Sequence, residues 1–336
     1  DPGEGVFRGT IKFKFDYIDR IEIEERLDPV PHARELGEFI LPGFVDLHSD
    51  AIEKSVEPRP RVRFPLPFAI QNLDRRLVSN GITSCFHAIA FAGKEQGLRS
   101  PERAQALISC LNERTAKIHS RSFIHLRYEV SDPESVDIIE ALIHQQPPAM
   151  ISFMNHIPGQ GQFGRDKDFL RYLMLTYSKT ERKCLAILEK KNEQLEGAEE
   201  RIKRLADAAR EQRLKLACHD LEDPDDIAYW NSHGVTVSEF PISLTAARAS
   251  LKKGLSTFFG APNLVRGQSS GRGVKASRAI SEGVATGICS DYLPESMRPG
   301  FQRIMDHPEN GLELHTAAAL FTRNPAEAAG NRSLGR

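Results

Sequence analysis

The sequence predicts an α/β protein, a (β/α)8 barrel, and three observations carry that expectation. From Phe39 onward short apolar strands alternate with amphipathic helical segments, the βαβα rhythm of a parallel sheet. Eight such strands can be marked out, at 40–47, 82–89, 122–129, 149–154, 214–218, 234–239, 256–260 and 284–290, which is the number a barrel of this kind needs to close. Residues able to ligate metals recur at the C-terminal ends of those strands, where such a barrel gathers its reactive groups.

Ahead of the barrel, residues 5–24 alternate apolar and polar, with Ile11, Phe13 and Phe15 in one run and Ile18, Ile21 and Ile23 in the next. They read as a small β-meander. The first barrel strand is followed by 56–68, which holds four prolines and is expected to be an irregular loop at the barrel mouth. The stretch 179–212 is rich in Lys, Glu, Arg and Leu. Leu185, Leu188, Leu195, Ile202 and Leu205 fall near helical spacing, so it reads as one or two long surface helices with a solvated charged face.

Composition narrows the function classes. With 40% hydrophobic and 27% charged residues over 336 positions, the chain has the profile of a globular protein with a sizeable core. No apolar run approaches a membrane span. Lys plus Arg is 45 against 46 Asp plus Glu, so no global field favours nucleic acid and any anion site must be local. Cys85, Cys110, Cys184, Cys218 and Cys289 are odd in number, widely spaced and free of Cys-x-x-Cys pairs. That pattern argues against a disulfide framework and fits a reducing cytoplasm.

The chemistry begins at Leu41-Pro-Gly-Phe-Val-Asp-Leu-His-Ser-Asp50, where an apolar strand delivers a histidine and an aspartate two positions apart. Side chains at i and i+2 share a strand face, so His48 and Asp50 can converge on one point, and imidazole with carboxylate suits zinc or a similar ion. Later strand ends add Glu129, His156, His219 and Asp291. A single strand-end histidine is ordinarily a satisfied hydrogen-bonding group. Six ligand-type residues at strand ends are enough to hold two divalent ions, with Glu129 bridging. His87 and His125 read as structural histidines of the barrel, and strand alternation turns Cys218 away from His219 into the core.

These segments resemble the amidohydrolase superfamily, and within it the α-D-ribose 1-methylphosphonate 5-triphosphate diphosphatase family. The likeness is carried by 41–50, Pro58-Arg-Pro-Arg-Val62, Gly81-Ile-Thr83, His125-Leu-Arg-Tyr-Glu129 and Asn155-His-Ile-Pro-Gly-Gln160. It continues through Cys218-His-Asp220, Glu239-Phe-Pro241, Gly260-Ala-Pro-Asn-Leu-Val-Arg-Gly267, Ser290-Asp-Tyr292 and Asn324-Pro-Ala326. The resemblance implies a small β-sandwich formed by the chain ends, from residues 1–40 with 325–336 able to join, beside a hydrolase barrel over 41–324. It implies a metal site at His48, Asp50, Glu129, His156, His219 and Asp291, with Asp291 as the proton-accepting base.

The reaction it implies is hydrolysis of a sugar 5-triphosphate to the 5-phosphate and pyrophosphate, by attack of hydroxide on phosphorus. Two cations fit that chemistry, because they acidify water and screen the negative charge at phosphorus. Zinc fits the mixed ligands best, and manganese or iron suits the same set. A polyphosphate needs further clamps, for which Arg59, Arg61, Arg266 and Asn263 are the substrate-side candidates, helped by Gly260, Gly267, Gly271 and Gly273. The expected partner is a small phosphorylated sugar, with neither nucleic acid nor membrane; a homo-oligomer is compatible with the chain.

The pattern departs from the family at Asn155, where Asp is common, at Leu221, where a further acid is common, and at Ser269-Ser-Gly-Arg-Gly273. Those positions shape the substrate side. The competing readings are an amidohydrolase that cleaves a C–N bond, an enzyme for another phosphorylated sugar, and a non-catalytic barrel that binds a phosphorylated metabolite.

Overall fold

The computed structural model describes residues 5–15, 17–23, 39–59, 62–93, 99–114, 117–155, 170, 174, 180–269, 273–307 and 312–335. His156, Arg61 and Gly271, three of the positions singled out above, lie outside the described residues.

Strands β1 (Gly9–Lys14) and β2 (Tyr17–Ile23) pair antiparallel, and the chain reverses at Phe15 in a left-handed conformation. The pairs Ile11↔Ile21 and Phe13↔Ile18 place apolar side chains opposite one another. Phe13, Ile18 and Ile21 are all exposed. This hairpin falls where the sequence predicts the small β-meander of residues 5–24.

Eight further strands follow in strict sequence order in one parallel sheet. They are β3 (Phe44–Ser49), β4 (Ile82–Phe91), β5 (Arg121–Glu129), β6 (Met150–Met154), β7 (Lys215–His219), β8 (Val235–Glu239), β9 (Ser256–Gly260) and β10 (Gly287–Cys289). A parallel bridge between Ser49 and Asp291 brings the first barrel strand to the last. The architecture is therefore the (β/α)8 barrel that the alternation predicts, with strands buried on both faces as parallel strands between helices must be.

The first strand begins at Phe44, four residues later than its expected start at 40. Pro42 has no amide to give to a ladder, and Gly43 runs so close to β4 that an added Cβ would lie 2.2 Å from Thr83 Oγ1. The shift carries His48 into the strand and leaves Asp50 just beyond it. After Val56 the described residues 57–59 and 62–65 of the Pro-rich stretch form neither helix nor strand, and at Pro65 Leu66–Ser79 starts as a helix with proline in its first turn. The charged stretch forms two helices, Glu181–Glu193 and Ala198–Glu211, separated at Gly197, whose φ of 74° lies in the left-handed region.

Two apolar cores result. The larger lies between barrel and helices and includes Ile52, Leu73, Leu77, Leu107, Ile139, Phe153, Leu205, Trp230 and Phe321. The smaller fills the lower barrel interior with Val45, Leu47, Phe86, Met150, Ala217, Val237, Phe258 and Cys289. Gly287 makes room there, since a Cβ would meet the Phe258 ring at 2.3 Å. The segment 325–336 was expected to be free to join the β-unit. In the structure Arg323–Ala328 is a helix, and Ala326 and Leu334 pack into that same lower interior. Among the described residues the chain end thus closes the bottom of the barrel.

Candidate metal centre and active site

The barrel closes where its chemistry is concentrated. Asp50 N donates to the Asp291 carbonyl at 2.7 Å and Asp291 N donates to the His48 carbonyl at 3.0 Å. The seam therefore places His48, Asp50 and Asp291 side by side, with one ligand atom from each inside a 4.8 Å cluster. Strand register explains the direction of His48. The β3–β4 pairing shifts between Asp46 and Ser49, so Leu47 and His48 both serve the barrel interior instead of alternating across it.

Turn geometry at three strand ends does the rest. Asp220 after β7, Phe240 after β8 and Asp291 after β10 have φ of 56°, 55° and 56°. Non-glycine residues seldom enter this left-handed region, Asp among the readier ones. Here the turns point side chains back over the barrel mouth, and the Phe240 ring lies 5.1 Å from His48 and 4.9 Å from His219 between ring centres.

Beneath the seam, His48 Nδ1 sits 2.9 Å from Glu239 Oε1, while Ser152 Oγ donates to Glu239 Oε2 at 2.6 Å. His125 Nδ1 donates to the Leu47 carbonyl at 3.2 Å, and its Nε2 lies 3.5 Å from Glu239 Oε1 without a hydrogen bond. His48, His219 and Glu239 form a second 4.8 Å cluster of ligand atoms that shares His48 with the first.

Arg127 runs through the middle of this group. Its Nη1 donates to both Asp50 oxygens at 2.8 Å, and Nη2 is 3.3 Å from His219 Nε2. At 4% exposure it is a buried cation whose partner carboxylate is what makes burial tolerable.

The electrostatics follow from this packing. Burial pushes the Asp291 carboxyl up to about 7, and the negative Asp50 beside it pushes the same way. A carboxyl poised near neutrality can exchange a proton with water during a reaction. Burial opposes charge on His48, yet the Glu239 carboxylate and the Asp50 carboxylate outweigh it and raise the ring to about 10. For Asp50 burial is likewise outweighed, by Arg127 first and His48 second, and the group is held well below the usual carboxylate range. Glu239 is lowered against burial by His48 and His125. Burial brings His125 down to about 4 and lowers His219 as well.

The donor set fits a divalent ion. His48 Nε2 is a buried ring nitrogen with no hydrogen-bond partner, it faces Asp50 Oδ1 at 3.5 Å, and imidazole with carboxylate is zinc-type coordination chemistry. Of the six positions expected at the site, the structure clusters His48, Asp50 and Asp291 directly, and His219 through His48. Glu129 ends β5 above Arg127, where it accepts from Ser131 Oγ at 3.3 Å and lies 3.9 Å from Lys191 Nζ. It stands outside both clusters among the described residues.

On the substrate side, Arg59 is exposed in the proline loop. Arg266 ends the short helix Ala261–Arg266, which leads off from β9. Asn263 in that helix donates to the Val274 carbonyl at 3.0 Å and accepts from Ala276 N at 3.0 Å, so it braces the 273–276 segment. His87 faces outward under the helix Leu66–Ser79, with Nε2 2.9 Å from Ser122 Oγ, and Cys218 is buried in the outer core. Sequence reasoning missed Arg127 and Glu239 as site residues. Arg127 was findable, since it stands two residues from both His125 and Glu129 and shares their face.

No protein-family model matches the chain. Its sequence is 32% identical over 298 residues, 87% of this chain and 78% of the relative, to alpha-D-ribose 1-methylphosphonate 5-triphosphate diphosphatase of Escherichia coli strain K12. Among solved structures, 5-methylcytosine deaminase from Klebsiella pneumoniae with phosphonocytosine superposes with a TM-score of 0.58 at 13% identity, over 97% of this chain and 84% of that one. N-isopropylammelide isopropylaminohydrolase from Burkholderia multivorans superposes at 0.56 with 14% identity, over 98% and 87%. At such identities these two speak to fold alone, the (β/α)8 barrel.

Proposed function

The chain belongs to the α-D-ribose 1-methylphosphonate 5-triphosphate diphosphatase family of the amidohydrolase superfamily, and from that premise we propose that it hydrolyses this sugar triphosphate to the 5-phosphate and pyrophosphate. The observation that carries the reading is the seam cluster of His48, Asp50 and Asp291, a metal-type donor set at the mouth of a barrel shared with that relative.

His48 Nε2, Asp50 and Asp291 would hold a divalent ion, zinc by their chemistry. His219 and Glu129 are the described candidates for the second ion that the family likeness implies, together with His156, which lies outside the described residues. When bound, the metal supplies Lewis acidity at phosphorus and lowers the pKa of water. Asp291 takes the proton of the attacking water on its carboxylate, from its place beside His48 and Asp50 at the barrel mouth. Arg127 keeps Asp50 ionised and fixed in direction. Arg59 and Arg266, with Arg61 beside the first, bind phosphate oxygens and orient the triphosphate; their planar forks suit that task. Asn263 contributes by holding the loop that borders the same side.

The test is pyrophosphate release from α-D-ribose 1-methylphosphonate 5-triphosphate by zinc-loaded protein, with chelated protein as control. Turnover that needs the metal is the expected result. A loaded protein that releases no pyrophosphate, yet liberates ammonia from cyclic amides or bases, would move the chain to C–N bond hydrolysis.

A further inference from the structure

Glu239 ends β8, is fully buried, and uses both carboxylate oxygens on side chains from other strands. Oε1 meets His48 Nδ1 from the first barrel strand, and Oε2 accepts from Ser152 Oγ of the fourth. Ser152 Oγ donates to Oε2, and a carboxylate oxygen accepts from the ring nitrogen that faces it, so the proton in the His48 contact sits on Nδ1. The remaining nitrogen, Nε2, then has no hydrogen-bonding partner of its own and faces the side where Asp50 and Asp291 meet. An imidazole that donates from one nitrogen to a carboxylate offers a more basic, oriented lone pair at the other.

We propose that Glu239 is a positioning residue and not a ligand: by holding the Nδ1–H of His48 it aims Nε2 at the point shared with Asp50 and Asp291. The inference rests on the reading of this seam as a divalent-metal centre. Geometry separates it from the alternative cluster in which Glu239 itself coordinates with His48 and His219. In that cluster Glu239 would have to give up the contacts that hold it, and His219 Nε2 already faces the Arg127 guanidinium. The first cluster asks for no such exchange at His48.

Zinc affinity by chelator competition and the absorption bands of the cobalt(II)-loaded protein, each for wild type and Glu239→Gln, decide the matter. Glutamine keeps the shape and removes the charge. The proposal expects zinc affinity to fall about 10- to 100-fold while the cobalt bands keep their positions, because the ligand set is unchanged. A merely structural role would lower the melting temperature and leave the affinity of the folded protein as it was, which overturns the proposal. Cobalt bands that shift as a ligand is lost overturn it as well. Ser152→Ala, which removes only the Oε2 contact, is expected to fall between wild type and Glu239→Gln, and it carries the test if the first variant does not fold; an unchanged affinity there counts against the proposal. A wild-type chain that takes up neither ion fails the metal reading itself, whereas equal binding by wild type and Glu239→Gln fails this inference alone.

Discussion

The lower and upper halves of the barrel interior are built from the same eight strands and solve opposite problems. The lower half is dry: Val45, Leu47, Phe86, Met150, Val237 and Phe258 pack together, and Ala326 with Leu334 seals them from below. The upper half holds His48, Asp50, Arg127, Glu239 and Asp291, of which His48, Arg127 and Glu239 are under 5% exposed, and every charge there depends on another. In the lower half a side chain is worth the volume it fills. In the upper half it is worth the charge it leaves uncompensated when removed.

That contrast can be sharpened by four substitutions. The largest effect is expected in the upper half from Asp291→Asn, which keeps shape and removes the proton acceptor; pyrophosphate release should fall by about 10²- to 10⁴-fold, measured at fixed zinc occupancy. Activity within a few-fold of wild type would remove Asp291 from that role.

In the lower half, Phe258→Ala opens a cavity beside Gly287 and should cost about 3–5 kcal/mol in chemical denaturation, with zinc affinity of the folded protein unchanged. A Phe258 variant that lost zinc selectively would break the division into two halves. Arg127→Met leaves Asp50 buried without its cation, a loss of about 3–5 kcal/mol in metal-free protein. Zinc should recover part of that loss, since a bound cation compensates the same carboxylate. Denaturation with and without zinc checks this, and a loss that zinc does not touch would contradict it.

The smallest effect lies outside the barrel. Asp74 in the helix Leu66–Ser79 accepts from His119 N at 3.0 Å and from Ser120 N and Oγ at 2.8 and 2.7 Å, pinning the turn that enters β5. These bonds hold its carboxyl below the usual range against burial. A lowered folded pKa means the stabilisation is complete above the unfolded carboxylate value, about 3.9, and is lost as pH falls through the lower folded value. Asp74→Asn should therefore cost about 1–3 kcal/mol near neutral pH, and the gap to wild type should close in acid. A gap that widens in acid would reverse the sign of the argument.

Much of the fold was legible because parallel strands between helices must be apolar on both faces, so seven of eight strand positions could be marked to within a few residues. The last, Gly287–Cys289, is shorter than the apolar run that announces it. The chain end was less legible: nothing in Ala326 or Leu334 as residues distinguishes a plug from a strand. At the site, His48, Asp50 and Asp291 could be read because each lies at or just past the C-terminal end of a strand. Glu239 ends one as well, in Val-Thr-Val-Ser-Glu, but whether such a residue faces in or out depends on register shifts like that between Leu216 and Ala217, which alternation does not reveal. Arg127 was overlooked for a different reason. An arginine in a strand reads as a surface charge unless its place on the face of His125 and Glu129 is weighed; its partner Asp50 lies 77 positions away in sequence.

The most direct measurement is the melting temperature of wild type, His48→Gln and Val237→Ala as zinc is raised. If the upper half is a metal centre, zinc stabilises wild type by an amount that grows with concentration, about 2.7 kcal/mol at a hundredfold excess over Kd. Val237→Ala should melt lower and keep the zinc-dependent rise, and His48→Gln should lose it. A rise of equal size in His48→Gln, or none in wild type, would contradict the account.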